Sequence, residues 1–215
     1  MRRRVPILLA LLLLPLLTGC GSERTTVANE QAAPPFELEE LAGGTIALGE
    51  LRGQVVALRF WADWCPFCRR EMRELEPVYQ HLRARGLEIL AVNVGQDRGR
   101  VERFVDRVGY SYPTLLDPDS TVARRYGVIA IPVTYFVDRE GIVRGRILGE
   151  SDAATFERMA LPLLDSASVP VPDLPSVGGT AGPTASTDGW LERVRNRAPR
   201  HLPGPERRAH PQRPS

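Results

Sequence analysis

The spacing of apolar residues changes period several times along the middle of the chain. Val55 to Trp61 is a β-branched and aromatic run of strand length, and Leu87 to Val94 is nearly all apolar, as expected of a strand buried on both faces. Between them Met72, Leu75, Val78, Tyr79 and Leu82 recur at helical spacing, which predicts a helix from Pro66 to about Arg85, kinked at Pro77 and stopped by Gly86. Arg98 to Val108 reads as a helix, Thr114 to Leu116 as a short strand and Ser120 to Tyr126 as a short helix. Val133 to Val137 and Ile142 to Leu148 are strands around the turn Asp138-Arg139-Glu140-Gly141, and Ser151 is expected to cap a last helix ending near Leu164. Further upstream, Phe36 to Leu38 and Thr45 to Leu48 flank Gly43-Gly44 as a hairpin. Strands alternate with helices first and a hairpin comes last. That order predicts a three-layer α/β sandwich with a mixed central sheet and an N-terminal β-hairpin.

The flanks lack such periods. Met1-Arg2-Arg3-Arg4 and the apolar run Val5 to Leu17, interrupted by Pro6 and Pro15, have the basic start and short core of an export signal over 1–19. The run is shorter than the roughly 20 apolar residues a membrane span requires. Leu17-Thr18-Gly19-Cys20 resembles the bacterial lipobox, which implies cleavage before Cys20 and lipid on its sulfur; a secreted chain with an unmodified cysteine is the alternative. Two or more acyl chains hold a protein on a membrane where one holds it only marginally. Residues 20–35 then read as a tether and 36–164 as one domain. The Pro- and Gly-punctuated stretch 165–215 carries too little aliphatic surface to offset ordering and reads as a disordered tail.

Charge narrows the function classes. The 28 basic residues are all Arg, against 26 acidic ones, for a net +2. Removing Arg2, Arg3 and Arg4 with the signal leaves 25 − 26 = −1 and no basic stripe for a phosphate backbone, so nucleic acid is not an expected partner. The absence of Lys rules out lysine-based catalysis.

The chemistry is concentrated in Trp64-Cys65-Pro66-Phe67-Cys68, two thiols three residues apart after an apolar strand and at a helix start. Pro66 suits a first helical turn, which places Cys65 at the N-cap. There the macrodipole stabilises a thiolate, and such sites lower a thiol pKa from about 8.5 to roughly 3.5–7.5. Cys68, one turn further in, should be more buried and less reactive. Zinc shares this spacing but needs four ligands, and the only other cysteine is Cys20, while His81 lies on a helix and His201 and His210 in the tail. No metal and no other cofactor is expected. A purely structural disulfide closing so small a loop would constrain the unfolded chain little.

Phe60 to Cys68 resembles the thioredoxin active-site block. Phe36 to Gly53, Ala91-Val92-Asn93-Val94 and Gly127 to Phe136 are similar to the membrane-tethered TlpA/ResA-like branch of that superfamily, over roughly residues 36 to 164. The resemblance implies a thioredoxin-like fold and thiol:disulfide exchange by Cys65 as attacking and Cys68 as resolving thiol. It also implies a cis bond before Pro132, with Ile131 and Pro132 offering backbone to an extended substrate. By the same resemblance Trp64, Pro66 and Phe67 are expected to flank the substrate groove. Glu71 matches a glutamate carried near the dithiol in this branch, where it can shuttle a proton; an ordinary solvated helix carboxylate is the plain alternative.

Two positions depart from the pattern. Arg59 stands where thioredoxin has a buried acid, and Arg73 replaces the usual helix proline. The expected partners are disulfide-containing exported proteins, such as apocytochromes c, and a membrane electron donor of the thiol-reducing type, with the chain itself monomeric. A mildly oxidising couple is one alternative. A peroxiredoxin would need Pro and Thr or Ser where Leu58 and Ala62 stand. A tethered binding or copper-delivery module would favour a third soft or imidazole ligand beside the cysteines, which Val133-Thr134 does not offer.

Overall fold

Every residue of the strand Val55–Trp61 is buried, as are the first seven of Leu87–Val94, so these two apolar runs pair at the centre of the sheet, in parallel. The computed structural model describes residues 27–166 of the chain. In chain order the elements are β1 (Glu37–Glu40), β2 (Thr45–Ala47), β3 (Val55–Trp61), α1 (Cys68–Leu82), β4 (Leu87–Val94), α2 (Arg98–Val108), β5 (Thr114–Asp117), α3 (Thr121–Arg125), β6 (Val133–Val137), β7 (Val143–Leu148) and α4 (Ala153–Asp165). Seven strands form one mixed sheet in the order β2-β1-β5-β4-β3-β6-β7. The strands β3, β4 and β5 run parallel; β6 is antiparallel to β3, β7 to β6 and β1 to β5. The expected hairpin pairs Leu38 with Ile46.

Strand alternation divides β3 between two cores. Val55, Ala57 and Trp61 pack with Met72, Leu75, Phe104 and Phe156 under α1, α2 and α4. Val56, Leu58 and Phe60 pack with Phe36, Leu51, Val122 and Tyr126 on the other face. The three layers are therefore unequal, because the second face is covered by the five-residue α3, a 3-10 turn at Leu48–Leu51 and the chain's N-terminal approach.

Three expectations shift. The first helix starts at Cys68, runs through Pro77 and ends in a 3-10 turn at Arg83–Arg85; Gly86, at φ +95°, supplies the left-handed stop. The cap of α4 is Asp152, whose carboxylate accepts from Thr155 N at 2.8 Å, and Ser151 serves another partner. The stretch read as free tether is attached from Val27 onward. Glu30 N and Ala33 N donate to Val143 O and Gly141 O, Val143 N donates to Gln31 O, and the Tyr126 hydroxyl donates to Pro34 O. The reason is the open edge of β7, whose backbone groups take these partners at the strand's start. The expectations for the signal, Cys20 and the tail beyond 166 lie outside the described residues. Among the described residues no helix is long and apolar enough to cross a membrane.

Candidate active site

The central strand β3 delivers the chain to the end of the sheet, where Cys65 N donates to Ala62 O in a tight turn. Cys65 and Cys68 are joined in a disulfide with Cα atoms 5.5 Å apart. Pro66 and Phe67 make the exposed turn between them. The helical ladder begins only with Glu71 N donating to Phe67 O, so Phe67 is the N-cap and Cys65 lies outside the helix, ahead of its first turn. That corrects the N-cap expectation by two residues, since a turn of Pro66 and Phe67 precedes the first i to i−4 bond. Both cysteines are buried in this oxidised form, at 2 and 0 % exposure, so the expected contrast between them is small.

Register brings a second segment to the same end. Phe60 at the end of β3 faces Val133 at the start of β6, and Val133 in turn faces Leu148 at the end of β7. The peptide Ile131–Pro132, just before Val133, is cis, and Gly149 N donates to Pro132 O. The large apolar side chains that are exposed among the described residues are Trp64, Phe67, Ile129 and Leu148. All four belong to this end of the sheet. A cavity of about 230 Å³ opens beside the cis peptide, lined by Ile129, Ile131, Pro132, Tyr135, Arg146 and Leu148 among others.

One helical turn beyond Cys68 lies a buried ion pair. Arg59 is in register with the residues of β3 that face α1, and its Nη2 pairs with Glu71 Oε2, both side chains being 1 % exposed. Arg59 Nη1 donates to Thr134 Oγ1 at 2.9 Å, and the other Glu71 oxygen accepts from Ser151 N. Among the described residues, Arg59 Nε has no hydrogen-bond partner. Glu71 is therefore not a solvated helix carboxylate. It lies three residues beyond Cys68, on the same side of α1. The Tyr112 hydroxyl donates to Met72 O; burial foremost, then Tyr110, holds its proton well above the usual range, with Arg59 pulling the other way.

A polar clamp fixes the approach to Cys65. Gln96 Oε1 accepts from Asp63 N at 2.8 Å and Gln96 Nε2 donates to Asp63 Oδ1 at 2.5 Å, while Asn93 Nδ2 also donates to Gln96 Oε1. Arg100 Nε donates to Asp63 Oδ2 at 2.6 Å. Burial pushes the Asp63 carboxyl up, but the bonds from Arg100 and Gln96 outweigh it and hold it below the usual carboxylate range. Sequence reasoning missed Gln96, Arg100 and the partner of Arg59. The one signal available was Arg59 itself, a lone cation in an otherwise apolar strand, which must find a counter-charge once buried.

A dithiol couple at the start of a helix, a cis-proline loop at the same sheet end and an apolar rim around both define a thioredoxin-fold thiol:disulfide oxidoreductase. The AhpC/TSA family model matches residues 30–146. The thiol-disulfide oxidoreductase ResA of Geobacillus kaustophilus is 37 % identical over 152 residues, covering 71 % of this chain and 87 % of that protein. ResA of Geobacillus thermodenitrificans is 40 % identical over 146 residues, covering 66 and 82 %. Among solved structures, a Chlorobium tepidum protein assigned as the thiol:disulfide interchange protein DsbE superposes with a TM-score of 0.62 at 29 % identity, covering 65 % of this chain and 99 % of that one. The chain belongs to the AhpC/TSA family, and within it to the thiol-disulfide oxidoreductases of the ResA kind.

Proposed function

We propose that this oxidoreductase works outside the cytoplasm, held to a membrane by lipid on Cys20, and reduces disulfides of exported proteins. The Cys65 thiolate attacks one client sulfur; the client disulfide breaks, a mixed disulfide forms and the first client sulfur leaves as thiolate. Cys68 gives up its proton with help from Glu71 and attacks Cys65 Sγ. The second client sulfur leaves with the bonding pair, and two electrons have passed from the dithiol to the client.

The observation that carries this reading is the grouping of the Cys65–Cys68 disulfide, the cis Ile131–Pro132 peptide and the exposed Trp64 and Phe67 at one end of the sheet. An extended client strand lies along Ile131 and Pro132 with its disulfide over Cys65, while Trp64, Pro66 and Phe67 cover its flanks. Clients include chains whose cysteines must be reduced before further chemistry, such as the haem-attachment cysteines of apocytochromes c. A thiol-reducing donor in the membrane restores the dithiol, since the cytosolic glutathione pool does not reach this compartment. The protein acts as a monomer. Peroxidase chemistry is disfavoured because buried Leu58 and Ala62 stand where a peroxidatic motif needs Pro and a hydroxyl.

Reduction of insulin disulfides by the full chain, with dithiothreitol as the electron source, tests the reading. Wild type should accelerate precipitation of the insulin B chain and Cys65→Ala should not. Equal rates with and without Cys65 would reject it.

A further inference from the structure

We propose that Arg59 is a positioning residue for the exchange reaction: by pairing with Glu71 it keeps that carboxylate available as proton acceptor for Cys68 over the whole neutral range. The inference rests on the reading of Glu71 as the acid–base partner of Cys68. Three observations support it. Arg59 is a cation in a strand whose every residue is buried, where a guanidinium without a counter-charge is strongly disfavoured. It reaches Glu71 across the gap between β3 and α1, one helical turn beyond Cys68, and Ser151 N fixes the second carboxylate oxygen. Arg59 Nη1 is held by Thr134 Oγ1, two residues after Pro132, so the pair is tied to the cis-proline segment as well as to the helix.

Among the described residues, the ionisable groups around Glu71 are few. They are Arg59 on β3, Cys68 on its own helix, and Tyr112, which responds to both charges of the pair. Glu150 and Asp152 stand on the loop into α4, where Glu150 is already paired with Arg70. Glu76 is engaged by Ser111. Within α1 and the elements packed on it, Arg59 is the cation bonded to Glu71. A buried carboxyl that loses its counter-ion takes up a proton at higher pH. A base poised nearer neutrality is also a stronger acceptor once it is ionised. Arg59 thus exchanges base strength for availability at lower pH.

In the step concerned, the Cys68 S–H proton passes to a Glu71 oxygen and the Cys68 thiolate forms a bond to Cys65 Sγ. The bond from Cys65 to the client sulfur breaks, and that sulfur leaves with the electron pair.

The test is the rate of the second half-reaction between pH 5 and 9, started from a mixed disulfide of Cys65 with a small aromatic thiol. Wild type, Arg59→Gln, Arg59→Lys, Glu71→Gln and Arg59→Gln/Glu71→Gln are compared. Arg59→Gln should acquire an acid limb absent from wild type, with the rate falling about tenfold per pH unit below its midpoint and a plateau at or above wild type on the alkaline side. Arg59→Lys should restore the wild-type profile, and the double variant should match Glu71→Gln without the limb. A rate lowered evenly at all pH values in Arg59→Gln, with Glu71→Gln still slow, would overturn the role of Arg59 alone. A wild-type profile for Glu71→Gln would overturn both readings. Should Arg59→Gln not fold, infrared difference spectra of wild type against Glu71→Gln decide: no protonation of Glu71 between pH 5 and 8 is expected, and a protonated-carboxyl band in that range refutes the proposal.

Discussion

Gln96 grips Asp63 from both sides, accepting from its backbone N–H at 2.8 Å and donating to its carboxylate at 2.5 Å. The grip holds the loop between β3 and the disulfide to the segment joining β4 to α2, two residues ahead of Cys65. Gln96→Leu removes both bonds and strands the Asn93 amide that donates to the same oxygen. The expected cost is about 1–3 kcal/mol of stability, read as a lower urea midpoint of the oxidised protein. Alkylation of Cys65 in the reduced protein should also become less selective over Cys68. An unchanged midpoint would show that the clamp contributes nothing.

Asp63 makes the clamp dependent on pH. Its carboxyl is held below the usual range in the folded state, against the effect of burial, by Arg100 and Gln96. A depressed folded value contributes stability above the unfolded value of about 3.9, and that contribution is lost as pH falls through the folded value. Asp63→Asn should therefore be less stable than wild type at pH 6, and the difference should shrink steadily below about pH 4. Parallel urea midpoints from pH 2 to 6 would contradict this.

The two cysteines should separate chemically once reduced. Cys65 lies ahead of the first turn of α1 and Cys68 within it. Cys68→Ala should trap clients as mixed disulfides on Cys65, whereas Cys65→Ala should trap none, as read by non-reducing electrophoresis. The titration of Cys65 alkylation should fall below the free-thiol value of about 8.5.

Glu71→Gln should slow exchange at neutral pH by about 10²–10⁴-fold, the usual worth of general acid–base assistance, and should also lower the urea midpoint, because it leaves Arg59 buried without its counter-charge. The defect should shrink at alkaline pH, where Cys68 ionises unaided. Stopped-flow reduction of a disulfide substrate across pH provides the measurement.

Much of this architecture was legible in the chain. Leu87–Val94 and Arg98–Val108 occur with the expected bounds, because a run buried on both faces and a clean helical period each leave one solution. The disulfide and the cis Ile131–Pro132 peptide stand where the motif and the family resemblance implied. Local competition was harder to read. Ser151 and Asp152 both make good caps, and only the packed structure shows Asp152 capping α4 while Ser151 N turns to Glu71. Ala28 to Pro35 carries no period, yet backbone hydrogen bonds fasten it to the edge of β7, an interaction that side-chain patterning does not encode. The Arg59–Glu71 pair joins a strand to a helix across twelve positions, so neither element's period reveals it.

The central claim, that this dithiol is a reductant, is tested most directly by the reduction potential of the Cys65/Cys68 couple, measured by equilibration with a redox buffer of known potential at pH 7. A value more negative than about −220 mV is expected, in the range of thioredoxin at about −270 mV. A value near the roughly −120 mV of a strong disulfide oxidant would contradict the account.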